Sequence, residues 1–148
     1  IGDSVLIDAA PFLEKKFSNI RIDGKIGRQM HEVQDLLAVN KQEMQQTDYI
    51  VIALGSNGSF DSKKLTELLS TFRQNSKIFL VNVRVPRPWE SQVNKDLQEI
   101  SKQHKNFRLV DWYKESQGHE EYFANDGVHL TKKGADAYAD LLERTMKQ

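Results

Sequence analysis

The run Tyr49-Ile50-Val51-Ile52-Ala53-Leu54, closed by Gly55-Ser56-Asn57-Gly58, decides the fold class. An apolar stretch without polar alternation describes a strand covered on both faces, as in the middle of a parallel sheet. The glycines and the Ser-Asn pair end it in a turn. Ile78-Phe79-Leu80-Val81-Asn82-Val83 is a second strand of the same kind. Between them, Asp61 is placed to cap a helix running to about Arg73, with Leu65, Leu68, Leu69 and Phe72 inward. Strand, helix, strand in that order calls for a right-handed crossover and a parallel pair.

The same alternation extends in both directions. Upstream, Leu6, Ala9, Ala10, Leu13 and Phe17 fall on one helix face, with Pro11 expected in the first turn or at a bend. Ile20-Arg21-Ile22 reads as a short strand, Asp23-Gly24 as a turn and Lys25-Ile26-Gly27-Arg28 as a loop. A helix is then expected from about Gln29 to Gln46. Downstream, Arg84-Val85-Pro86-Arg87-Pro88-Trp89 leads into a helix from about Glu90 to Gln103, and Phe107 to Trp112 alternates as a last strand. A long loop follows, and Thr131 caps a final helix whose inner face is Ala135, Tyr138, Leu141 and Leu142. The expected architecture is one α/β domain over residues 1–148, a three-layer α/β/α arrangement around a parallel sheet. Ligands of such sheets bind outside the carboxyl ends of the strands.

Composition narrows the function. The 148 residues suit one domain with a sizeable core. Lys plus Arg (21) balances Asp plus Glu (21), so no net field draws the chain to nucleic acid, and no basic tract follows a phosphate backbone. No apolar run approaches the ~20 residues of a spanning helix. The absence of cysteine removes disulfides, thiolate metal sites and cysteine nucleophiles from consideration.

Four short motifs fall at the strand ends or in the loops after them. Gly2-Asp3-Ser4 places a hydroxyl where a strand gives way to a helix. Serine attacks carbonyl carbon well only when a base takes its proton. His129 is the imidazole suited to that, and Asp126, three residues earlier, is spaced to orient it from the other ring nitrogen. Oxyanion donors are available from the amides of Ser4 and Gly27 and the side chain of Asn57. Read singly, each has a plainer meaning: Asp3-Ser4 as a helix cap, Asn125-Asp126-Gly127 as a turn, Asn57 as a turn residue. Their joint presence favours catalysis. Trp89 and Arg84 are further candidates, the indole for stacking on a sugar and the guanidinium for a carboxylate.

Gly2-Asp3-Ser4, Gly27, Gly55-Ser56-Asn57 and Asp126-Gly127-Val128-His129 resemble, in order, the four sequence blocks of the SGNH (GDSL-like) hydrolases. That resemblance implies a flavodoxin-like fold, Ser4 as nucleophile, His129 as base, Asp126 as its orienter, and Ser4, Gly27 and Asn57 as the oxyanion hole. Lys25-Ile26-Gly27-Arg28-Gln29, Arg84 to Trp89 and Asp126 to Thr131 are similar to one branch, the extracellular catalytic domain of Gram-positive peptidoglycan O-acetyltransferases. This implies transfer of acetyl through an acetyl-serine to the C6 hydroxyl of N-acetylmuramic acid, without metal or other cofactor, with acetylesterase activity on the side. It also implies a membrane acyltransferase domain upstream in a longer parent chain, tethering this domain to the outer face of the cell membrane. The strand expected to lead into Gly2-Asp3-Ser4 would lie before Ile1. The alternatives are an SGNH carbohydrate esterase or lysophospholipase-like hydrolase with water as acceptor, and a non-catalytic flavodoxin-like binding module.

Overall fold

A computed structural model describes residues 1–72 and 75–148. Three parallel strands, β1 (Tyr49–Ile52), β2 (Lys77–Val81) and β3 (Phe107–Val110), lie in the order β1-β2-β3. Ile50 is in register with Ile78, and Ile78 with Phe107. The expected sheet extends beyond β1 by isolated bridges: Gly2 pairs in parallel with Ala53 on one side and Gly24 on the other. The Ala53 amide donates to the Ile1 carbonyl (2.9 Å), and the Gly2 amide to the Asp23 carbonyl (2.9 Å). Counting these two short partners, the spatial order is 2-1-3-4-5, the flavodoxin-like winding. The switch point falls between Gly2 and Ala53.

Ile1 and Gly2 therefore occupy the place expected for the leading strand. Beyond Ile1, a groove of about 700 Å³ runs between residues 20–23 and the edge of β1. Ile20-Arg21-Ile22 is not a strand: the pairing with Gly2 falls just after it, at Asp23 to Lys25. Ile20 and Ile22 pack instead against the apolar cluster below them.

The continuous apolar runs split by alternation. Ile50, Ile52, Leu54, Ile78 and Leu80 face α2 (Val33–Val39), α4 (Ser62–Leu69) and α5 (Glu90–Ser101) through Val33, Leu37, Leu65, Leu69, Val93 and Leu97. Ala53, Phe79, Val81 and Val110 face α1 (Ser4–Lys16) and α7 (Lys132–Met146) through Leu6, Ala9, Leu13, Tyr138 and Leu142. Two apolar layers thus sandwich the sheet. Phe79, 1% exposed, is worth about 2–3 kcal/mol of burial at its position.

Boundaries depart from expectation where side chains compete with the backbone. The helix expected over Gln29–Gln46 is a 3₁₀ turn (Met30–Glu32), then α2, then α3 (Lys41–Gln46). It breaks at Asn40, whose backbone leaves the helical region (φ −107°, ψ 22°) while its main-chain amide (3.0 Å) and its Nδ2 (2.9 Å) both donate to the Leu36 carbonyl. Pro11 sits inside α1, past its first turn. The last strand stops at Val110 because Asp111 caps α6 (Trp112–Glu115) by accepting from the Lys114 amide (3.0 Å). The α-helix after Asp61 ends at Leu69, and Arg73 lies outside the described residues. Thr131 caps α7 as expected, accepting from the Gly134 amide (3.2 Å).

Candidate active site

Ser4 is the first residue of α1, directly after the Gly2 bridge. Two local features fix it there. Asp3 is the N-cap, its Oδ1 accepting from the Val5 amide (3.0 Å). Gly2 leaves no room for a side chain: a Cβ would stand 2.6 Å from Leu6 Cβ and 2.9 Å from the Ala53 carbonyl oxygen. The chain can turn from sheet into helix in one residue only because that space is empty.

Asp3 is 1% exposed, and burial pushes its carboxyl up to about 6, against the pull of backbone amides and of His129. Among the described residues its Oδ2 has no hydrogen-bond partner. It borders a cavity of about 10 Å³ shared with Ser56, Asn82, Arg84, Val128 and Tyr138.

The second half of the site is local. Asp126 Oδ1 accepts from the amides of Val128 and His129 (2.9 Å each), and its Oδ2 meets His129 Nδ1. The His129 contact and the two amides lower the Asp126 carboxyl to about 2, and the carboxylate raises the His129 imidazole above its ordinary value. With Nδ1 committed to Asp126, Nε2 is the nitrogen left for proton transfer. Both side chains are nearly half exposed, at 45% and 47%.

A short antiparallel return holds this half in place. Ala124 N–H donates to the His129 carbonyl (2.8 Å), Phe123 bridges Leu130, and Thr131 N–H donates to the Tyr122 carbonyl (3.0 Å). One bond then ties it to the helix that begins at Ser4: the Leu130 amide donates to Asp8 Oδ2 (3.1 Å). Ser4 and Asp8 are four residues apart on α1, hence on one face. The chain beside His129 is docked on the face that carries Ser4.

The oxyanion candidates lie on two further loops. Gly27 adopts φ +76°, the left-handed region open to glycine, and nothing lies within 4 Å of where a Cβ would be. Asn57 Nδ2 donates to the Arg28 carbonyl (3.4 Å), and the Asn57 carbonyl accepts from Gln29 Nε2 (2.7 Å). Arg28 is 5% exposed and reaches back toward the Ser4 segment, donating to the carbonyls of Gly2 (3.2 Å) and Asp23 (2.8 Å) and pairing with Asp23 Oδ1 (3.0 Å).

Trp89 and Arg84 are both engaged within the chain. Trp89 Nε1 donates to the Ser56 carbonyl (3.1 Å), so the indole braces the loop that carries Asn57. Arg84 Nε donates to Ser116 Oγ (2.8 Å), and its guanidinium lies over the Tyr113 ring, 4.1 Å from the centroid. Tyr122 and Phe123 pack on Trp112. Among the described residues no group of three His, Cys, Asp or Glu side chains is placed to hold a metal ion. Sequence reading gave no site role to Asp8, Arg28 or Gln29, whose contacts join segments far apart in the chain. The one local hint was that Arg28 and Gln29 follow the candidate Gly27.

Known proteins share this fold. The chain superposes on the C-terminal catalytic domain of Streptococcus pneumoniae peptidoglycan O-acetyltransferase A with a TM-score of 0.85, covering 99% of this chain and 89% of that one at 21% identity. A lipase from a goat rumen metagenome follows at 0.74, with 97% and 94% covered and 16% identity. The fold is that of the SGNH hydrolases. In sequence this chain is similar to YrhL of Bacillus subtilis, 46% identical over 147 residues, and to O-acetyltransferase OatA of Staphylococcus aureus, 43% over 148. Each alignment covers 99% of this chain but only 23% and 24% of the relative. The chain thus spans about a quarter of the length of the relatives it matches. No family model matches.

Proposed function

We propose that this domain transfers acetyl groups to peptidoglycan through an acetyl-serine on Ser4. The observation that carries the reading is the docking of the Asp126–His129 pair, through Leu130 and Asp8, along the face of α1 that begins with Ser4. Similarity to the S. aureus O-acetyltransferase and to the pneumococcal catalytic domain supports the choice of reaction.

In this reading Ser4 Oγ attacks the acetyl carbonyl while its proton passes to His129 Nε2. The carbonyl oxygen becomes an oxyanion facing the Ser4 and Gly27 amides and the free N–H of Asn57. The intermediate collapses as His129 returns the proton to the leaving oxygen, leaving acetyl-serine. The C6 hydroxyl of N-acetylmuramic acid then gives its proton to His129 and attacks the acetyl carbon. Ser4 departs and recovers its proton. Asp126 stabilises the imidazolium formed in each half. Trp89 and Arg84 stay candidates for glycan contact, although their polar groups are engaged within the chain, with the Ser56 carbonyl and Ser116. No residue needs a cofactor in these steps.

Water in the acceptor's place gives acetylesterase activity, and esterase and lipase folds among the structural neighbours suit that side reaction. Because the relatives are about four times longer, the parent protein is proposed to carry further segments, including a membrane acyltransferase domain, with this domain outside a Gram-positive cell. No described helix here is long and apolar enough to cross a membrane.

The test is acyl partition. The domain is incubated with an activated acetyl ester and chitooligosaccharide, and acetylated sugar and free acetate are both measured. Acetyl on sugar C6 hydroxyls in excess of acetate is the expected result; acetate alone would replace transferase with esterase. Failure of a serine-directed fluorophosphonate to label Ser4 in folded protein would defeat both.

A further inference from the structure

Asn57 and Gly27, the oxyanion donors outside the nucleophile's own loop, sit on separate segments, and neither loop is in a regular element. An oxyanion hole works only if its donors are in place before charge develops, so something must hold these loops in register. Asn57 is held at both ends. Its side-chain amide donates one hydrogen to the Arg28 carbonyl, which leaves the other for a reacting oxygen. Its main-chain carbonyl accepts from Gln29 Nε2 at 2.7 Å, the shorter of the two bonds.

Gln29 is itself anchored. Its amide donates to Glu32 Oε2 (2.7 Å), and Glu32 pairs in turn with Lys25 (3.2 Å) on the other side of Gly27. Gly58 passes so close that a Cβ there would stand 3.0 Å from Gln29 Oε1. Arg28, the residue between, ties the same turn to the Gly2 carbonyl, two residues before the nucleophile.

We propose that Gln29 is a positioning residue for acyl transfer, whose side-chain amide clamps the Asn57 loop to the Gly27 turn so that the Asn57 donor faces the oxyanion. Gln29 does not touch substrate; it acts through the main chain of Asn57. This inference rests on the assignment of Asn57 to the oxyanion hole.

The experiment compares Gln29→Ala, Gln29→Glu, Asn57→Ala and the double variant Q29A/N57A, using acetyl-ester turnover and thermal midpoints. Gln29→Glu is the sharper variant, being nearly isosteric and keeping Oε1 while losing the N–H that reaches Asn57. Each Gln29 variant is expected to lower kcat about 10-fold with KM within about two-fold. Asn57→Ala is expected to cost about 100-fold or more. Because Gln29 acts only through Asn57, Q29A/N57A should be no slower than N57A alone. If the losses multiply, or if Gln29→Glu keeps full kcat, the clamp is refuted while a defective N57A leaves the oxyanion assignment standing. A fully active N57A would remove that assignment and the clamp together.

Discussion

The two halves of the candidate site are built on opposite principles. The Asp126–His129 half lies within one tetrapeptide, half exposed, its geometry set by two amides and a turn. The Ser4 half is assembled from residues 2–4, 23–29 and 55–58, around an Asp3 and an Arg28 that are both buried. The difference teaches where stability and chemistry are coupled. Charge on the exposed half is screened by water and can be altered at little cost to the fold. Charge on the buried half cannot, because its environment is the sheet's switch point.

The largest effects test whether the halves act together at all. Ser4→Ala and His129→Ala should each reduce acetyl-ester turnover by about 10⁴-fold or more, with circular dichroism unchanged. A loss below about ten-fold from either would mean the halves are not partners. Asp126→Asn comes next, at roughly 10²- to 10³-fold, since the imidazolium loses its carboxylate but His129 remains. It should also move the profile of kcat/KM against pH. His129 must be neutral to take the serine proton, and Asp126 holds its pKa above the ordinary value. The acid limb of the wild type should therefore lie above that value, and the variant's limb should lie lower; an unmoved limb would separate Asp126 from the base.

Stability should show the reverse ranking. The Asp3 carboxyl is raised by burial from 3.8 to about 6, so the folded chain binds a proton more tightly than the unfolded one. Stability from this group is present below about pH 4 and is lost as pH rises toward and past 6. Asp3→Asn, which keeps an oxygen for the Val5 amide, should flatten that fall, a difference on the order of 2–3 kcal/mol between pH 4 and 7 in urea titrations. An equal slope in both proteins would show that Asp3 is better solvated than its burial implies.

The smallest effect belongs to the exposed pair. Asp126 is depressed to about 2, so its contribution exists above 3.8 and fades as pH falls toward 2. His129 is raised, so its share of the same contact fades as pH climbs through its folded value. Between those limits Asp126→Asn should move the thermal midpoint by only about 2 °C or less. A shift as large as that from altering Asp3 would erase the contrast between the halves.

Much of this was legible beforehand, for identifiable reasons. Asp126 and His129 could be paired by reading because three residues of backbone enforce the contact. Strand β1 and the two-sided cover on it followed from an unbroken apolar run. The break at Asn40 was not legible, since helix period continues through it and only the backbone angles of Asn40 (φ −107°, ψ 22°) separate α2 from α3. Nor was the intramolecular use of Trp89, because an indole that could stack on a ligand and one that bonds the Ser56 carbonyl look alike in a string of letters.

By itself the sequence determined the fold class, the order of the elements, the identity of Ser4, Asp126 and His129 as chemical candidates, and the local Asp-His contact. These depend on hydrophobic period and on short spacings, which the covalent chain transmits directly. Tertiary structure alone decided that Gly2 pairs between Gly24 and Ala53 beside the switch point, that Asp8 docks the His129 return onto the Ser4 face, and that Arg28 and Gln29 tie three loops into one site. Those contacts join residues up to 122 positions apart. They form only once the two apolar layers have closed on the sheet, and no local pattern of residues encodes them.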